Sequence, residues 1–159
     1  MSKVQLDKKV ADFKAASTGE KTFKLSDCKD KNLVVYFYPK DNTSGCTREG
    51  QDFRDNYSKF KRNKTIVVGV SRDSLKSHEN FKAKQEFPFD LLSDQDEALC
   101  TLFDVIKEKN MYGRKVMGIE RSTFLIDSHR KLRKQWRKVK VDGHVEEILA
   151  AVRELNRSC

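Results

Sequence analysis

Apolar residues come along this chain in short clusters separated by polar runs, and each cluster has the period of a strand or of a helix. Two clusters are continuous runs of strand-forming residues, LVVYFY at residues 33–38 and TIVVGVS at residues 65–71. Such runs are typical of strands that are covered on both faces of a sheet. Between them, aromatic residues recur at intervals of four and three, which predicts a helix from about residue 47 to residue 62.

The alternation of helices and strands continues toward the C-terminus. The pattern predicts a helix at residues 74–86, a strand at 89–92, a helix at 96–103, a strand at 122–127 and a basic strand at 131–138. The last two strands are expected to pair as an antiparallel hairpin. A weaker alternation at residues 21–27 indicates a short strand, and an apolar stripe predicts a final helix with Asp142 as its N-cap.

These elements describe an α/β fold with a central mixed β-sheet, parallel at its centre, and helices on both faces. The chain has 159 residues without a linker or an internal repeat, so we expect one domain over residues 1–159. The apolar runs are too short to cross a bilayer, and the first residues lack a signal-peptide core. The sequence therefore predicts a cytoplasmic protein.

Charge adds a second possibility for function. Lysine and arginine number 33 against 24 acidic residues, which gives a net charge of +9, and residues 130–140 contain no acid. Such a run is compatible with binding to nucleic acid or another polyanion. It is also typical of an edge strand, because lysines on a sheet edge discourage aggregation. We favour the edge strand and keep a polyanion-binding module at residues 131–140 as an alternative.

The cysteines are the candidate reactive groups. Cys28, Cys46, Cys100 and Cys159 lie far apart without C-x-x-C spacing, and the three histidines show no ligand spacing. We therefore expect neither a metal nor another cofactor. A reducing cytosol also disfavours a disulfide framework, so each cysteine is either a small buried apolar residue or a reactive thiol.

Cys46 has the position of a reactive thiol. It follows the central strand at residues 33–38, a proline and a short turn, and the next helix is expected to begin at or just after it, with Thr43 or Ser44 as N-cap. Unpaired backbone N–H groups and the positive end of a helix dipole stabilise negative charge, so this position favours the thiolate.

A thiolate in such a place suits the reduction of peroxides. The attack on oxygen needs hydrogen-bond donors around the reacting oxygens more than it needs a base. Thr43 could supply a hydroxyl, and Arg121, at the start of the strand at residues 122–127, is a candidate for a cation. Glu49 lies in the first turn of the same helix as Cys46, either as a surface residue or as a residue that orders the pocket, and we leave it outside the catalytic set.

The same residues carry a family resemblance. PKDNTSGC, at residues 39–46, matches the P-x-x-x-T-x-x-C signature of the peroxiredoxins. The surrounding VVYFYPKDNTSGCTREGQDFRD and the later LLSDQDEALC, DVIKEKNMYG and GIERSTFLID resemble the Q-type branch, the bacterioferritin comigratory proteins, so the similarity spans nearly the whole chain. It implies a thioredoxin-like fold, a monomer, and thiol-dependent reduction of hydrogen peroxide and organic hydroperoxides.

The resemblance also implies roles for individual residues. It assigns Cys46 as the peroxidatic cysteine and Thr43 and Arg121 as its hydrogen-bonding partners. It assigns Pro39 as a shield that limits solvent and shapes the pocket.

The chain departs from the family at the second cysteine. Many Q-type enzymes carry a resolving cysteine five residues after the peroxidatic one or in the next helix, and here these positions hold Gln51 and Lys82. The sequence therefore predicts a one-cysteine enzyme whose sulfenic acid is reduced by an external thiol, namely glutathione, a glutaredoxin or a thioredoxin. A two-cysteine mechanism through Cys100 or Cys159 is the alternative, and Cys28 lies in a polar loop that nothing directs toward the peroxidatic sulfur. A disulfide oxidoreductase or thiol-linked redox sensor would also need such a partner thiol.

Overall fold

The computed structural model describes residues 3–157. The elements are β1 (Lys14–Ser17), β2 (Lys21–Lys24), β3 (Asn32–Phe37), α1 (Ser44–Arg62), β4 (Thr65–Ser71), α2 (Leu75–Gln85), β5 (Asp90–Ser93), α3 (Ala98–Phe103), β6 (Ile106–Met111), β7 (Arg114–Ile119), β8 (Ser122–Ile126), β9 (Leu132–Trp136) and α4 (His144–Arg157), with a 3-10 turn at Leu25–Asp27. Among these described helices, none has the combination of length and apolarity that crossing a bilayer requires. The assignment of the whole chain to one domain stays a prediction.

Seven strands form one mixed sheet in the order β2-β1-β5-β4-β3-β8-β9. β3, β4 and β5 are parallel neighbours, because α1 and α2 provide the crossovers between them. The strands on either side of this centre run antiparallel to their neighbours. The arrangement confirms the predicted mixed sheet with a parallel centre.

The two faces of the sheet bury separate apolar clusters, which successive residues of β3 join alternately. Leu33, Val35 and Phe37 belong to the cluster beneath α3, which we call the α3 face. Val34 and Tyr36 belong to the cluster beneath α1, α2 and α4, which we call the α1 face. Helices therefore cover both faces, as predicted.

Most predicted elements are present. The structure differs from the prediction in the ends of some elements and in three strands that were not predicted. α1 begins at Ser44 and not near residue 47, which places Cys46 inside its first turn. The strand expected at residues 21–27 stops at Lys24, and the 3-10 turn follows it. β1, β6 and β7 were not predicted, because β6 and β7 are largely exposed and none of the three has a clear apolar alternation.

The start of α4 corrects the prediction for Asp142. The helix begins at His144, and the N–H of Glu147 donates to the carbonyl of Gly143. The carboxylate of Asp142 forms an ion pair with Arg48 of α1. Asp142 therefore links α4 to α1, and the residue whose carbonyl accepts the first helical bond is Gly143.

His144 is a buried histidine between α4 and the sheet. Its Nε2 lies 2.8 Å from the hydroxyl oxygen of Thr123, and its ring meets Trp136 edge to face. Burial lowers the pKa of His144 to about 4, from an ordinary value of 6.5. Between these values the unfolded chain binds a proton that the folded protein excludes, so the free energy of unfolding falls as the pH decreases from 6.5 toward 4.

We expect the variant His144→Gln, which keeps a hydrogen-bonding group for Thr123 but does not titrate, to lack this acid destabilisation. Between neutral pH and pH 4, the wild type should lose about 3 kcal/mol more free energy of unfolding than the variant does. Urea unfolding of both proteins between neutral pH and pH 4 measures it. His129→Gln, which changes an exposed histidine, should behave like the wild type, and an equal acid loss in all three proteins would contradict the assignment.

Candidate active site

Cys46 lies in the first turn of α1, directly beyond the carboxyl end of β3. Thr43 occupies the N-cap position, and the N–H of Thr47 donates to its carbonyl. The N–H groups of Ser44, Gly45 and Cys46 precede that bond and have no intrahelical acceptor, and the side chain of Thr43 does not cap them. The sulfur therefore lies at the helix end where backbone dipoles favour negative charge.

Arg121 brings a guanidinium to this sulfur. It precedes β8, whose first residue, Ser122, pairs with Phe37 at the end of β3, so the register places Arg121 at the same edge of the sheet. Its Nη2 donates to Sγ of Cys46 across 3.5 Å. The thiol side chain is only 2 % exposed, so this contact is shielded from bulk water.

The same guanidinium is held by Glu49, one turn further along α1. Arg121 Nη1 donates to Oε1 of Glu49 at 2.6 Å, and the carboxyl group is fully buried. Its second oxygen, Oε2, has no hydrogen-bond partner among the described residues. Burial raises the pKa of Glu49 to about 7, against the opposing effect of Arg121. Only the spacing of three residues from Cys46 could have indicated this role in the sequence.

Thr43 and Pro39 lie in the turn between β3 and α1. The hydroxyl of Thr43 is exposed and donates to the carbonyl of Lys40 at 2.8 Å, so in this arrangement it does not hydrogen-bond to Cys46. Pro39 is half-buried in the turn that follows β3. The roles that the family resemblance implies for these two residues stay predictions.

Lys109 of β6 is a second cation near the site. Its ammonium donates to the carbonyl of Ile119, two residues before Arg121. Burial lowers the pKa of Lys109 and the charge of Arg121 lowers it further, while the sulfur of Cys46 opposes both effects. The sequence analysis missed this residue because β6 itself was not predicted.

The other described cysteines lie on the opposite side of the sheet. Cys46 belongs to the cluster on the α1 face, whereas Cys28 and Cys100 belong to the cluster on the α3 face. Burial raises the pKa of Cys28 to about 11, and burial followed by the nearby Asp94 raises the pKa of Cys100. Cys159 lies outside the described residues. Within residues 3–157, Cys46 is therefore the one thiol that a guanidinium contacts.

The site thus combines a buried thiol at a helix N-terminus with a guanidinium at the edge of a mixed sheet. The model of the AhpC/TSA family matches residues 6–135, and the chain belongs to that family. Two curated relatives are named Peroxiredoxin Bcp. The one from Xanthomonas campestris is 60% identical over 121 residues, 76% of each chain. The one from Bacillus subtilis is 46% identical over 153 residues, which are 96% of this chain and 98% of the relative.

A solved structure leads to the same branch of the family. It is the bacterioferritin comigratory protein of Xanthomonas campestris, studied for its alkyl peroxide reduction activity. It aligns with a TM-score of 0.86 at 51% identity and covers 91% of this chain and 92% of its own. The chain thus has the thioredoxin-like fold of a peroxiredoxin and is a thiol-dependent peroxidase, as the sequence predicted.

The shared guanidinium predicts how the reaction depends on pH. As the pH falls through about 7, Glu49 takes up a proton and its charge-assisted hydrogen bond with Arg121 weakens. We expect the rate constant of the reduced protein with hydrogen peroxide to fall with it. Glu49→Gln should be roughly tenfold slower at neutral pH, since a bond to a charged group contributes about 1.5 kcal/mol or more. Rapid-mixing kinetics between about pH 6 and pH 8 measure both effects.

In Glu49→Gln the fall in rate constant between about pH 8 and pH 6 should be absent. Asp55→Asn, which removes an exposed carboxylate from the same helix, is the control and should keep the wild-type profile. A wild-type slope in Glu49→Gln would show that another group titrates.

Proposed function

We propose that this enzyme reduces hydrogen peroxide and organic hydroperoxides at Cys46 by a one-cysteine mechanism in which an external thiol restores the enzyme. The observation that carries the proposal is the hydrogen bond from Arg121 to the buried sulfur in the first turn of α1. The alkyl peroxide reduction activity of the Xanthomonas campestris relative supports organic hydroperoxides as substrates.

In the first step the thiolate of Cys46 attacks the terminal oxygen of the hydroperoxide. The O–O bond breaks, the sulfur is oxidised to a sulfenic acid, and the departing alkoxide takes up a proton to become an alcohol or water. Charge develops on both oxygens, where Arg121 and the free N–H groups at the start of α1 can stabilise it. Thr43 is proposed to bind the hydroperoxide from the entrance, and Pro39 to limit access of water.

In the second step a thiol attacks the sulfenic acid, water leaves, and a mixed disulfide forms. A second thiol then attacks this disulfide and releases reduced Cys46. An internal partner is disfavoured because Cys28 and Cys100 lie on the opposite face of the sheet. A disulfide needs Cα atoms within about 7 Å, which these cysteines could reach only after a large rearrangement. Glutathione, a glutaredoxin or a thioredoxin is therefore the proposed reductant.

Cys159 lies outside the described residues. The alternative in which it is the internal partner is decided by the mass measurement below.

The alternative of a polyanion-binding module at residues 131–140 receives little support. Arg133 is already paired with Asp127 and Asp7, and Arg137 donates to two backbone carbonyls at the end of α3. β9 is an edge strand, as the favoured interpretation of its lysines predicted. We therefore propose no nucleic-acid partner, and the monomeric state and the cytoplasmic location stay predictions.

The assignment of the reacting thiol predicts a specific loss of activity. With dithiothreitol as reductant, Cys46→Ser should lower peroxide consumption on the order of a thousandfold, because the reaction loses its nucleophile. Cys28→Ser and Cys100→Ala serve as matched controls and should retain activity as long as they remain folded. Wild-type activity in Cys46→Ser would exclude the proposed site.

The same set of variants tests the mechanism. One equivalent of peroxide should add one oxygen atom to Cys46 of the wild type in the intact mass, and dimedone should trap this product. Loss of two hydrogen atoms, with formation of a disulfide that disappears in one of the other cysteine variants, would show a two-cysteine mechanism. A panel of glutathione, glutaredoxin and thioredoxin then identifies the reductant.

A further inference from the structure

A buried polar cluster lies beneath the turn that precedes Cys46. Its centre is Asp41, which is 5 % exposed. The carboxylate of Asp41 accepts hydrogen bonds from the hydroxyl of Tyr38 at 2.6 Å, the hydroxyl of Ser77 at 2.7 Å and Nδ1 of His78 at 2.7 Å. Its backbone N–H donates to Oδ2 of Asp73 at 2.9 Å. The end of β3, the first turns of α2 and the β4–α2 connection therefore converge on one residue of the turn.

Both ring nitrogens of His78 face acceptors. Nε2 lies 2.9 Å from the carbonyl oxygen of Leu92, which can only accept, so Nε2 carries a proton. Nδ1 faces Asp41. Burial acts to raise the pKa of Asp41, but the hydrogen bonds from His78, Tyr38 and Ser77 outweigh it and lower the pKa below its ordinary value. The carboxylate is therefore ionised at neutral pH, and Nδ1 carries the second proton of an imidazolium.

The surroundings of His78 contain no second cation among the described contacts. Asp73 is the other acid nearby, and the hydroxyl of Ser71 holds its carboxylate at 2.6 Å. The hydroxyls of Tyr38 and Ser71 each lie 3.5 Å from a ring nitrogen of His78. From β5 the imidazole meets the backbone carbonyl of Leu92. A fully buried positive charge is thus balanced by the carboxylate that anchors the turn.

Few other contacts determine the path of the turn from Asp41 into α1. Asn42 has a φ of 65°, in the left-handed region that is unfavourable for a residue with a side chain. The hydroxyl of Thr43 bonds to the carbonyl of the neighbouring Lys40, and both Thr43 and Ser44 are exposed. The anchor at Asp41 therefore sets the point from which the chain enters the helix that carries the reactive thiol.

We propose that His78 is a positioning residue for the peroxidase reaction: as an imidazolium paired with Asp41, it fixes the turn that presents Cys46 to Arg121. The proposal rests on Cys46 as the reacting thiol. The pair exists only while Asp41 is ionised and His78 is protonated. Without the imidazolium the buried carboxylate has no counter-ion, so the turn loosens and the reaction with peroxide slows.

The test compares two reactions of the same thiol. In His78→Gln the rate constant with hydrogen peroxide should fall about ten- to a hundredfold, because small displacements of a reacting atom cost this much. Alkylation by iodoacetamide should change much less, because it needs the thiolate but develops no charge on two reacting oxygens. Asp41→Asn should behave in the same way, and the double variant should be no slower than the slower single variant.

Ser77→Ala is the matched control. It removes a neutral hydrogen bond to the same carboxylate but leaves the ion pair, so it should keep a near-normal rate. A folded His78→Gln protein, checked by near-UV circular dichroism, that reacts with peroxide at the wild-type rate overturns the proposal. If Cys46→Ser is inactive in that same series, the proposed function still stands.

A measurement on the unaltered protein covers the case in which the variants do not fold. Nitrogen NMR of the His78 ring in the reduced enzyme should show two protonated nitrogens at neutral pH. A neutral tautomer with one unprotonated nitrogen would overturn the ion pair and the proposal with it.

Discussion

The guanidinium of Arg121 is shared between the sulfur of Cys46 and the carboxyl group of Glu49, and the arrangement of the site depends on this sharing. The thiol and the acid lie one turn apart on α1, whereas the cation comes from the start of β8. A buried charge is tolerable only when it is paired, so the interaction ties the helix to the sheet while it places positive charge at the sulfur. In the proposed mechanism, structure and reactivity therefore depend on the same contact.

The fold supports this contact from two directions. On one side, the pairing of β8 with β3 brings the start of one strand to the end of the other, which delivers Arg121 to the carboxyl edge of the sheet. On the other side, His78 of α2 holds Asp41 in the turn before α1. The first turn of α1 thus lies between a guanidinium and an anchored loop. In the proposed mechanism its free N–H groups stabilise charge on the reacting oxygens.

The sheet also keeps Cys46 apart from the other described thiols. Because successive residues of a strand point to opposite faces, the two apolar clusters do not mix, and Cys28 and Cys100 remain on the side away from Cys46. Burial keeps those two thiols protonated. In the proposed mechanism the electrons that regenerate the enzyme must therefore come from outside the chain.

The sequence by itself determined the buried strands β3 and β4, the helix between them and the location of Cys46 beyond a strand end, because strand and helix periodicity and turn residues are local properties. The family motif added Arg121, which spacing alone could not place. Only the tertiary structure decided that Glu49 reaches this guanidinium and that His78 meets Asp41, since those contacts join residues far apart or depend on which face of a helix is buried. The exposed strands β6 and β7, too, were decided by their pairing with each other, because largely exposed strands leave no apolar period in the sequence.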